Sequence, residues 1–250
     1  MKILILAAGY STRLYPLTLD IPKPLLEIGD RKMLDHLLDR LRPLPHSEIV
    51  LVSNHRFVDQ FQVWSRTAGL PITVLDDGSR SEQDRLGAVG DMAFAVRERS
   101  IGEPMLVVAG DNLFDFPLEP FVAEFEKKSA PLVGLYEYPR WQHLSKYGIV
   151  TLDEAGRFSE FVEKPKEPRS NLVSMCLYVF PADTLPFLAR YLSGSDPKDA
   201  PGHYIRWLMG QCGVHGHRFR GVWLDIGDLD SLEEARKIFG KKESIHGKNV

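Results

Sequence analysis

The sequence predicts an α/β fold, a three-layer α/β/α sandwich with a mostly parallel central sheet and a second half rich in hairpins. Two observations favour this class. Short apolar runs alternate with helical segments along residues 1–138, which is the pattern of strands joined by crossover helices. The run 104–109 is almost wholly apolar, as is typical of a central parallel strand that is buried on both faces.

The first half of the chain carries the alternating elements. The run 3–6 is too short for anything but a buried strand, and apolar residues recur at helical spacing from Met33 to Leu41. Pro43 and Pro45 end that helix, because proline cannot continue one. We predict strands at 2–7, 48–53, 72–75, 104–109 and 132–138, and helices at 32–42, 57–68, 87–99 and 119–129.

The second half begins after Pro139 with a hairpin signal, two apolar runs that flank the turn Asp-Glu-Ala-Gly at 153–156. We find no internal repeat and no clear interdomain linker. Residues 1–240 are therefore predicted to form one domain, followed by a frayed tail at 241–250. The predicted strands are 147–152, 157–162, 172–180, 214–220 and 222–226, and the predicted helices are 183–191, 203–212 and 229–239, with a loop at 193–202.

Composition excludes several functional classes. The 250 residues are 44% hydrophobic and 26% charged, with a net charge of −3, so no broad basic surface for nucleic acid is indicated. Two cysteines, Cys176 and Cys212, are too few and too far apart for a disulfide framework, which favours a reducing compartment. No apolar run approaches the ~20 residues of a membrane span. We therefore expect a cytoplasmic protein without membrane or nucleic-acid partners.

The loop after the first strand has the composition of a phosphate-binding site. Small residues let backbone N–H groups approach a ligand, and inward-facing N–H groups bind anions. Arg13 and Lys23 add two positive charges, and Pro22 and Pro24 hold Lys23 in rigid extended chain. The combination suits a triphosphate, although each residue alone could belong to an ordinary connection between a strand and a helix. The candidate nucleotide-binding residues of this loop are Leu6, Ala7, Ala8, Gly9, Ser11 and Thr12.

The stretch Leu-Ala-Ala-Gly-Tyr-Ser-Thr-Arg-Leu-Tyr-Pro-Leu-Thr followed by Pro-Lys-Pro-Leu-Leu resembles the signature of the sugar-1-phosphate nucleotidylyltransferases, or NDP-sugar pyrophosphorylases. The resemblance implies their α/β sandwich, here in a short form without the C-terminal β-helix of some members. It also implies catalytic roles for Arg13 and Lys23. Ser11 stands where the family has its second glycine. We expect this to reduce the conformational freedom of the loop without abolishing nucleotide binding.

A metal site is predicted at the same edge of the sheet. Asp111 follows a buried strand, where an exposed carboxylate can hold Mg²⁺ or simply cap a turn. By resemblance, Asp111 matches the family's Gly-Asp metal position and Asp225 its late Asp-x-Gly carboxylate. Asp228 stands where the family has threonine, and we interpret it as the N-cap of the last helix.

The remaining site residues also rest on the resemblance. Glu163 and Lys164 match the Glu-Lys-Pro motif that binds the sugar and its phosphate, and Cys176 replaces a glycine on a neighbouring strand. Gln83 lies four residues before Gly87, where the family's spacing is five. The implied sugar-phosphate residues are Tyr147, Gly148, Glu163, Lys164 and Val173, and the implied base-contacting residues are Gln83 and Gly87.

The resemblance implies a reaction between a nucleoside triphosphate and a sugar 1-phosphate that yields an NDP-sugar and pyrophosphate. UTP or dTTP with glucose 1-phosphate is the favoured pair, with Mg²⁺ as cofactor, and homo-oligomers are common in the family. Two alternatives stay open. One is a cytidylyltransferase that acts on a non-sugar phosphate such as phosphocholine. The other is a non-catalytic regulatory module on the same fold, which tends to lose the charged positions retained here.

Overall fold

The computed structural model describes residues 1–240 and is built on a nine-stranded sheet. Its strands are β1 (Lys2–Leu6), β4 (Glu48–Ser53), β5 (Ile72–Asp76), β6 (Met105–Ala109), β8 (Leu132–Glu137), β9 (Gly148–Leu152), β10 (Phe158–Glu163), β11 (Leu172–Phe180) and β12 (His215–Phe219). The first four pair in parallel in the order β5-β4-β1-β6, and the other five continue the sheet beyond β6 with mainly antiparallel pairing.

Helices cover both faces of this sheet because successive side chains of a strand point to opposite faces. In β1, Ile3 and Ile5 pack in one core, whereas Leu4 packs in the other. The first core contains α1 (Met33–Leu41), α2 (Val58–Ser65) and α4 (Glu119–Lys128). The second contains α3 (Ala88–Glu98), α5 (Pro186–Leu192) and α6 (Pro201–Met209). The predicted α/β/α sandwich is therefore confirmed.

Two short ribbons lie off the main sheet. One pairs β2 (Glu27–Ile28) with β3 (Arg31–Lys32), and the other pairs β7 (Asn112–Phe114) with β13 (Trp223–Asp225) in antiparallel register. The last helix, α7 (Leu229–Phe239), packs in a small third core beside these ribbons. The second ribbon joins chain segments more than a hundred residues apart, and it orders the ends of both segments at the carboxyl edge of β6.

The predicted elements differ from the structure mainly at their ends. The predicted helix 183–191 is a 3₁₀ turn at Ala182–Thr184 followed by α5, which begins at Pro186. The predicted helix 203–212 begins two residues earlier, at Pro201, since proline is favoured in the first helical turn. The predicted tail at 241–250 lies outside the described residues. No helix within residues 1–240 is long and apolar enough to cross a membrane.

Candidate active site

Two adjoining cavities lie at the carboxyl edge of the parallel strands. The strand cavity, of about 380 Å³, is bordered by the loops after β1 and β6 and by the start of α3. The hairpin cavity, of about 460 Å³, is bordered by β9, β10 and the start of α7. Because both share several lining residues, they form one continuous candidate site. The shared residues are Tyr147, Ser174, Cys176, Asp199, Pro201, Trp223 and Asp225.

The loop after β1 brings only part of its predicted residues to the strand cavity. Leu6, Ala8 and Gly9 line it. Ser11 adopts φ +52°, in the left-handed region that favours glycine, which explains why the resembling proteins have glycine at this position. Its carbonyl accepts a hydrogen bond from Thr18 Oγ1 at 2.9 Å, which helps to hold this conformation. Ala7, Ser11 and Thr12 are not among the residues that line either cavity.

Lys23 is buried below the junction of the two cavities. It lies in a 3₁₀ turn that the flanking prolines begin, and 8% of its surface is exposed. Its ammonium group makes an ion pair with Asp111 and donates a hydrogen bond to the carbonyl of Ile226 at 2.7 Å. Lys23 therefore connects the first loop to both strands of the β7–β13 ribbon.

The ribbon places the two predicted metal carboxylates together. Asn112 pairs with Asp225 in the ladder, and the N–H of Ile226 donates to the carbonyl of Asp111 at 3.1 Å. Burial opposes the ionisation of Asp111, but the Lys23 ammonium outweighs it and lowers the Asp111 pKa. Burial and the Asp111 charge raise the pKa of Asp225 to about 6. Two carboxylates therefore share a single buried lysine, and apart from the exposed Arg13 this leaves them one positive charge short of neutrality.

This charge imbalance fits a hard cation with oxygen ligands. Within residues 1–240, no group of three or more His, Cys, Asp or Glu side chains is arranged to hold a metal. A cation between Asp111 and Asp225 would thus complete its shell with oxygens of bound phosphate and water, which is how Mg²⁺ is commonly held.

Arg13 and Lys23 occupy different sides of the site although they come from the same loop. Arg13 is exposed and lines the hairpin cavity, with its guanidinium nitrogens 3.7 Å from the position a Cβ would take at Gly227. Its charge acts to lower the pKa of Asp225. The structure therefore separates the two predicted catalytic cations: Lys23 is buried in an ion pair with Asp111, and Arg13 is exposed in the wall of the hairpin cavity.

Glu163 and Lys164 lie at the end of β10, in the wall of the hairpin cavity. Burial raises the pKa of Glu163. Its Oε2 is 2.0 Å from the position a Cβ would take at Gly202 and 3.0 Å from that at Gly148, so both glycines leave room for this carboxyl group. Lys164 Nζ lies 3.9 Å from Glu163 Oε1. Tyr147 and Gly148 line the same cavity, whereas the predicted Val173 is fully buried beneath it.

The predicted base-contacting residues separate in the structure. Gly87 lines the strand cavity and precedes α3 with φ +77°, and a Cβ there would lie 2.8 Å from the carbonyl oxygen of Lys198. Only glycine therefore fits both the conformation and the close approach. Gln83 lies on the exposed surface of the preceding loop and is not a lining residue of the cavity.

Several lining residues were not predicted from the sequence. Arg85 Nη2 makes an ion pair with Asp199 at 2.8 Å, which fastens the loop before α6 to the loop before α3. Asp91, in the first turn of α3, is buried and lines the strand cavity. A proline at position 201 favours a helix start there, and that signal could have placed the beginning of α6 correctly. The burial of Asp91 had no signal in the local pattern.

Cys176 adopts φ +52° at a register shift of β11, between the pairs made by Ser174 and Tyr178. The left-handed conformation explains the glycine of the resembling sequences. Cys176 lies at this bulge and lines both cavities. The cysteine in place of glycine therefore changes the shape of the site, whereas the pairing of the sheet is kept.

Asp228 caps α7, as predicted. Its Oδ1 accepts a hydrogen bond from the N–H of Ser231 at 3.0 Å, and this bond holds the Asp228 pKa at about 2.

We expect Asp228→Ala to lower the free energy of unfolding at pH 7 by about 1 kcal/mol, and Asp228→Thr to preserve most of it. Because the folded pKa is depressed, the advantage of the ionised aspartate is present above pH 4 and lost towards pH 2. Chemical denaturation of the three proteins between pH 2.5 and 7 tests this. An equal loss for threonine and alanine would contradict the capping role.

The chain was compared with families of known proteins. The model of the family described as nucleotidyl transferase matches residues 2–242. A uridylyltransferase of Haloferax volcanii, named UTP–glucose-1-phosphate uridylyltransferase, is 33% identical over 181 residues, 72% of each chain. A protein of Arabidopsis thaliana named probable mannose-1-phosphate guanylyltransferase 2 is 34% identical over 193 residues, 72% of this chain and 50% of the relative. The mannose-1-phosphate guanyltransferase of Candida albicans is 28% identical over 268 residues, 100% of this chain and 71% of the relative. The chain thus spans between half and about seven-tenths of the length of these relatives.

Solved structures share the fold. UDP-glucose pyrophosphorylase in complex with UDP-glucose superposes with a TM-score of 0.82 at 20% identity, covering 95% of this chain and 97% of the other. The apo form of a UDP-glucose pyrophosphorylase gives a TM-score of 0.79 at 19% identity, with the same coverage. At these identities the likeness establishes the fold alone.

Proposed function

The chain belongs to the nucleotidyl transferase family, and we propose that it transfers a nucleoside monophosphate from a nucleoside triphosphate to a sugar 1-phosphate, releasing pyrophosphate. The observation that carries the proposal is the ion pair of Lys23 and Asp111 beside Asp225, which lines both cavities. Lys23, Arg13 and Lys164, together with a cation held by the two carboxylates, would supply the positive charge needed to bring two polyanions together. The relatives' names, which are those of enzymes of this reaction type, support the proposal.

The nucleotide occupies the strand cavity in this proposal. Leu6, Ala8 and Gly9 offer backbone and small side chains to the base and sugar, and Gly87 lets the start of α3 approach them closely. The residues Ala7, Ser11 and Thr12 shape the loop rather than line the cavity. The triphosphate then runs from the strand cavity towards Lys23 and Arg13.

The sugar 1-phosphate occupies the hairpin cavity. Glu163, half-buried beneath two glycines, accepts hydrogen bonds from sugar hydroxyls, and Lys164 binds the phosphate. Tyr147 and Gly148 form the wall of the sugar pocket, and Val173 supports it from below. This arrangement distinguishes the proposal from a transferase for phosphocholine, which has no sugar hydroxyls for Glu163 to bind.

In the reaction, an oxygen of the sugar phosphate attacks the α-phosphorus and pyrophosphate departs with the bridging oxygen. The attacking oxygen is already anionic, so no general base is needed, and catalysis consists of positioning and charge neutralisation. Lys23 neutralises charge that grows at the α-phosphate. Arg13, on the far side of the carboxylates, binds the β- and γ-phosphates and then the departing pyrophosphate.

Asp111 and Asp225 would hold a Mg²⁺ ion, because two carboxylates that share one buried lysine offer a hard cation the oxygen ligands and the negative charge it prefers. When bound, Mg²⁺ neutralises phosphate charge and orients the α-phosphate oxygens. Lys23 donates a hydrogen bond to the carbonyl of Ile226 and holds Asp111 in place through their ion pair, with or without a cation.

For the substrates, UTP or dTTP with glucose 1-phosphate is the first pair to test. A second pair, GTP with mannose 1-phosphate, is favoured by the names of the plant and yeast relatives. The decisive experiment measures pyrophosphate release from each of five nucleoside triphosphates with each of several sugar 1-phosphates, with and without Mg²⁺. Release with at least one pair supports the proposal. Release only with CTP and phosphocholine would replace it, and no release with any pair would favour a regulatory module.

A further inference from the structure

Asp91 is a buried carboxyl group at the site that the proposed reaction does not use. It lies in the first turn of α3, four residues after Gly87, and 5% of its surface is exposed. Side chains of a helix lean towards its N-terminus, so Asp91 points towards the end of the helix that borders the strand cavity. It lines this cavity together with Gly9 and Gly87, whereas the predicted base-contacting Gln83 does not.

Asp91 is paired with a second carboxyl group, that of Asp77, which follows β5. The N–H and hydroxyl of Ser79 each donate to Asp77 Oδ1 at 2.7 Å. The other oxygen, Asp77 Oδ2, and the Asp91 Oδ1 atom are both buried and find no donor among residues 1–240. Two buried acceptors side by side are costly unless one of them carries a proton.

The pair therefore shares a proton at neutral pH. Burial, assisted by the charge of Asp77, raises the pKa of Asp91 to about 8, and burial also raises the pKa of Asp77. The Asp91 acid donates to the Asp77 carboxylate, which is stabilised by the two Ser79 bonds. Other charged or titratable groups around the pair and the adjoining loop include Asp76, His55, Tyr10, Asp84, Arg56 and Arg85. Asp76 is engaged with His55, and Arg85 with Asp199 and Glu82.

We infer that Asp91 determines the base specificity of the site: its shared proton is directed to Asp77, and its second oxygen accepts a hydrogen bond from a ring N–H of the nucleobase. This inference rests on the proposed function. Uracil, thymine and guanine carry such an N–H beside a carbonyl group, whereas cytosine and adenine present a bare ring nitrogen there. The wrong bases would leave two acceptors facing each other in a buried cavity, which opposes their binding.

Two substitutions of Asp91 separate base recognition from packing. In Asp91→Asn, the amide N–H₂ donates to Asp77 and the carbonyl oxygen still faces the cavity, so the variant copies the protonated acid. In Asp91→Ala, the acceptor is lost. We expect the ratio of kcat/KM for UTP, dTTP or GTP to that for CTP or ATP to fall about 10–100-fold in Asp91→Ala, mainly through KM, and to be kept in Asp91→Asn.

The dependence on pH supplies a second measurement. Above pH 8 the wild-type pair loses its shared proton, the two carboxylates repel each other, and the KM for the nucleotide rises. In Asp91→Asn, KM should stay level up to pH 8.5. If Asp91 served packing alone, its loss would change kcat/KM for all five nucleotides alike. An unchanged ratio of kcat/KM between the two groups of nucleotides in Asp91→Ala would overturn the inference. If Asp91→Ala fails to fold, a changed base ranking or a wild-type pH profile in Asp91→Asn would overturn it.

The outcome can be told apart from a failure of the proposed function. Titration calorimetry of the five nucleoside triphosphates with the wild-type protein reports the base ranking without turnover. A ranking that favours uracil, thymine or guanine and depends on Asp91 supports the inference even if no pyrophosphate is released. If pyrophosphate is released but the ranking of the five bases is the same in the wild type and the Asp91 variants, the proposed function is supported and the inference about Asp91 is overturned.

Discussion

Replacing Lys23 with alanine lowers kcat about 10²–10³-fold, the usual cost of removing one group that stabilises transition-state charge. The reason is the position of this lysine beneath Asp111, where its ammonium group is buried and fixed by Ile226. Its charge acts without reorganisation when charge grows at the α-phosphate. The KM for the sugar 1-phosphate should change much less, because Lys23 does not line the hairpin cavity.

Lys2→Ala is the matched control. Lys2 also forms a partly buried ion pair, with Glu48 at 2.8 Å, but at the amino end of β1, away from the cavities. Both variants should lose stability in denaturant, and only Lys23→Ala should lose turnover. Steady-state kinetics with pyrophosphate detection decide the matter. A folded Lys23→Ala protein with near-normal kcat would remove Lys23 from the mechanism.

Lys23 could be predicted as a site residue from the sequence, whereas its ion pair with Asp111 and its closeness to Asp225 could not. Two prolines around one lysine mark a rigid loop, and that information is local. The pairing with Asp111 and the closeness of Asp225 depend on the β7–β13 ribbon. Strands of three residues are too short to show an alternating pattern, and their partners are over a hundred residues apart. Only the resemblance connected the two aspartates beforehand.

The layers of the sandwich were predictable for the opposite reason. The strand β1 has a continuous apolar run and is buried on both faces, and α1 has apolar residues at helical spacing and buries that face, as these patterns predict. Asp91 illustrates the limit of this reasoning. An acidic residue in the first turn of a helix suits the helix dipole and usually faces solvent. Here it is buried because the end of β5 brings Asp77 against it, a contact that no local pattern encodes.

Replacing Asp225 with asparagine should separate stability from activity. At pH 7 the ionised Asp225 is held next to Asp111 with one lysine between two carboxylates, and its pKa is raised to about 6. An acid with a raised folded pKa destabilises the protein above that pKa, so a neutral isostere should increase the free energy of unfolding by about 1–3 kcal/mol at pH 7. The gain should shrink as the pH falls through 6 and vanish below about pH 3, where the carboxyl group is protonated in both the folded and the unfolded state.

The same substitution should lower kcat about 10²–10³-fold and raise the Mg²⁺ concentration needed for half-maximal rate, because one of two anionic ligands is lost. Asp228→Asn is the matched control: it removes a carboxylate three residues away, and asparagine caps α7 as well as aspartate does. Denaturation at pH 7, together with kinetics over a range of Mg²⁺ concentrations, gives both readouts. An Asp225→Asn protein that is less stable and fully active would show that the two carboxylates serve the fold alone. We expect a more stable and inactive protein. In the wild type, Asp111 and Asp225 repel each other and thereby lower stability, but together they form the site for a cation that would relieve this repulsion.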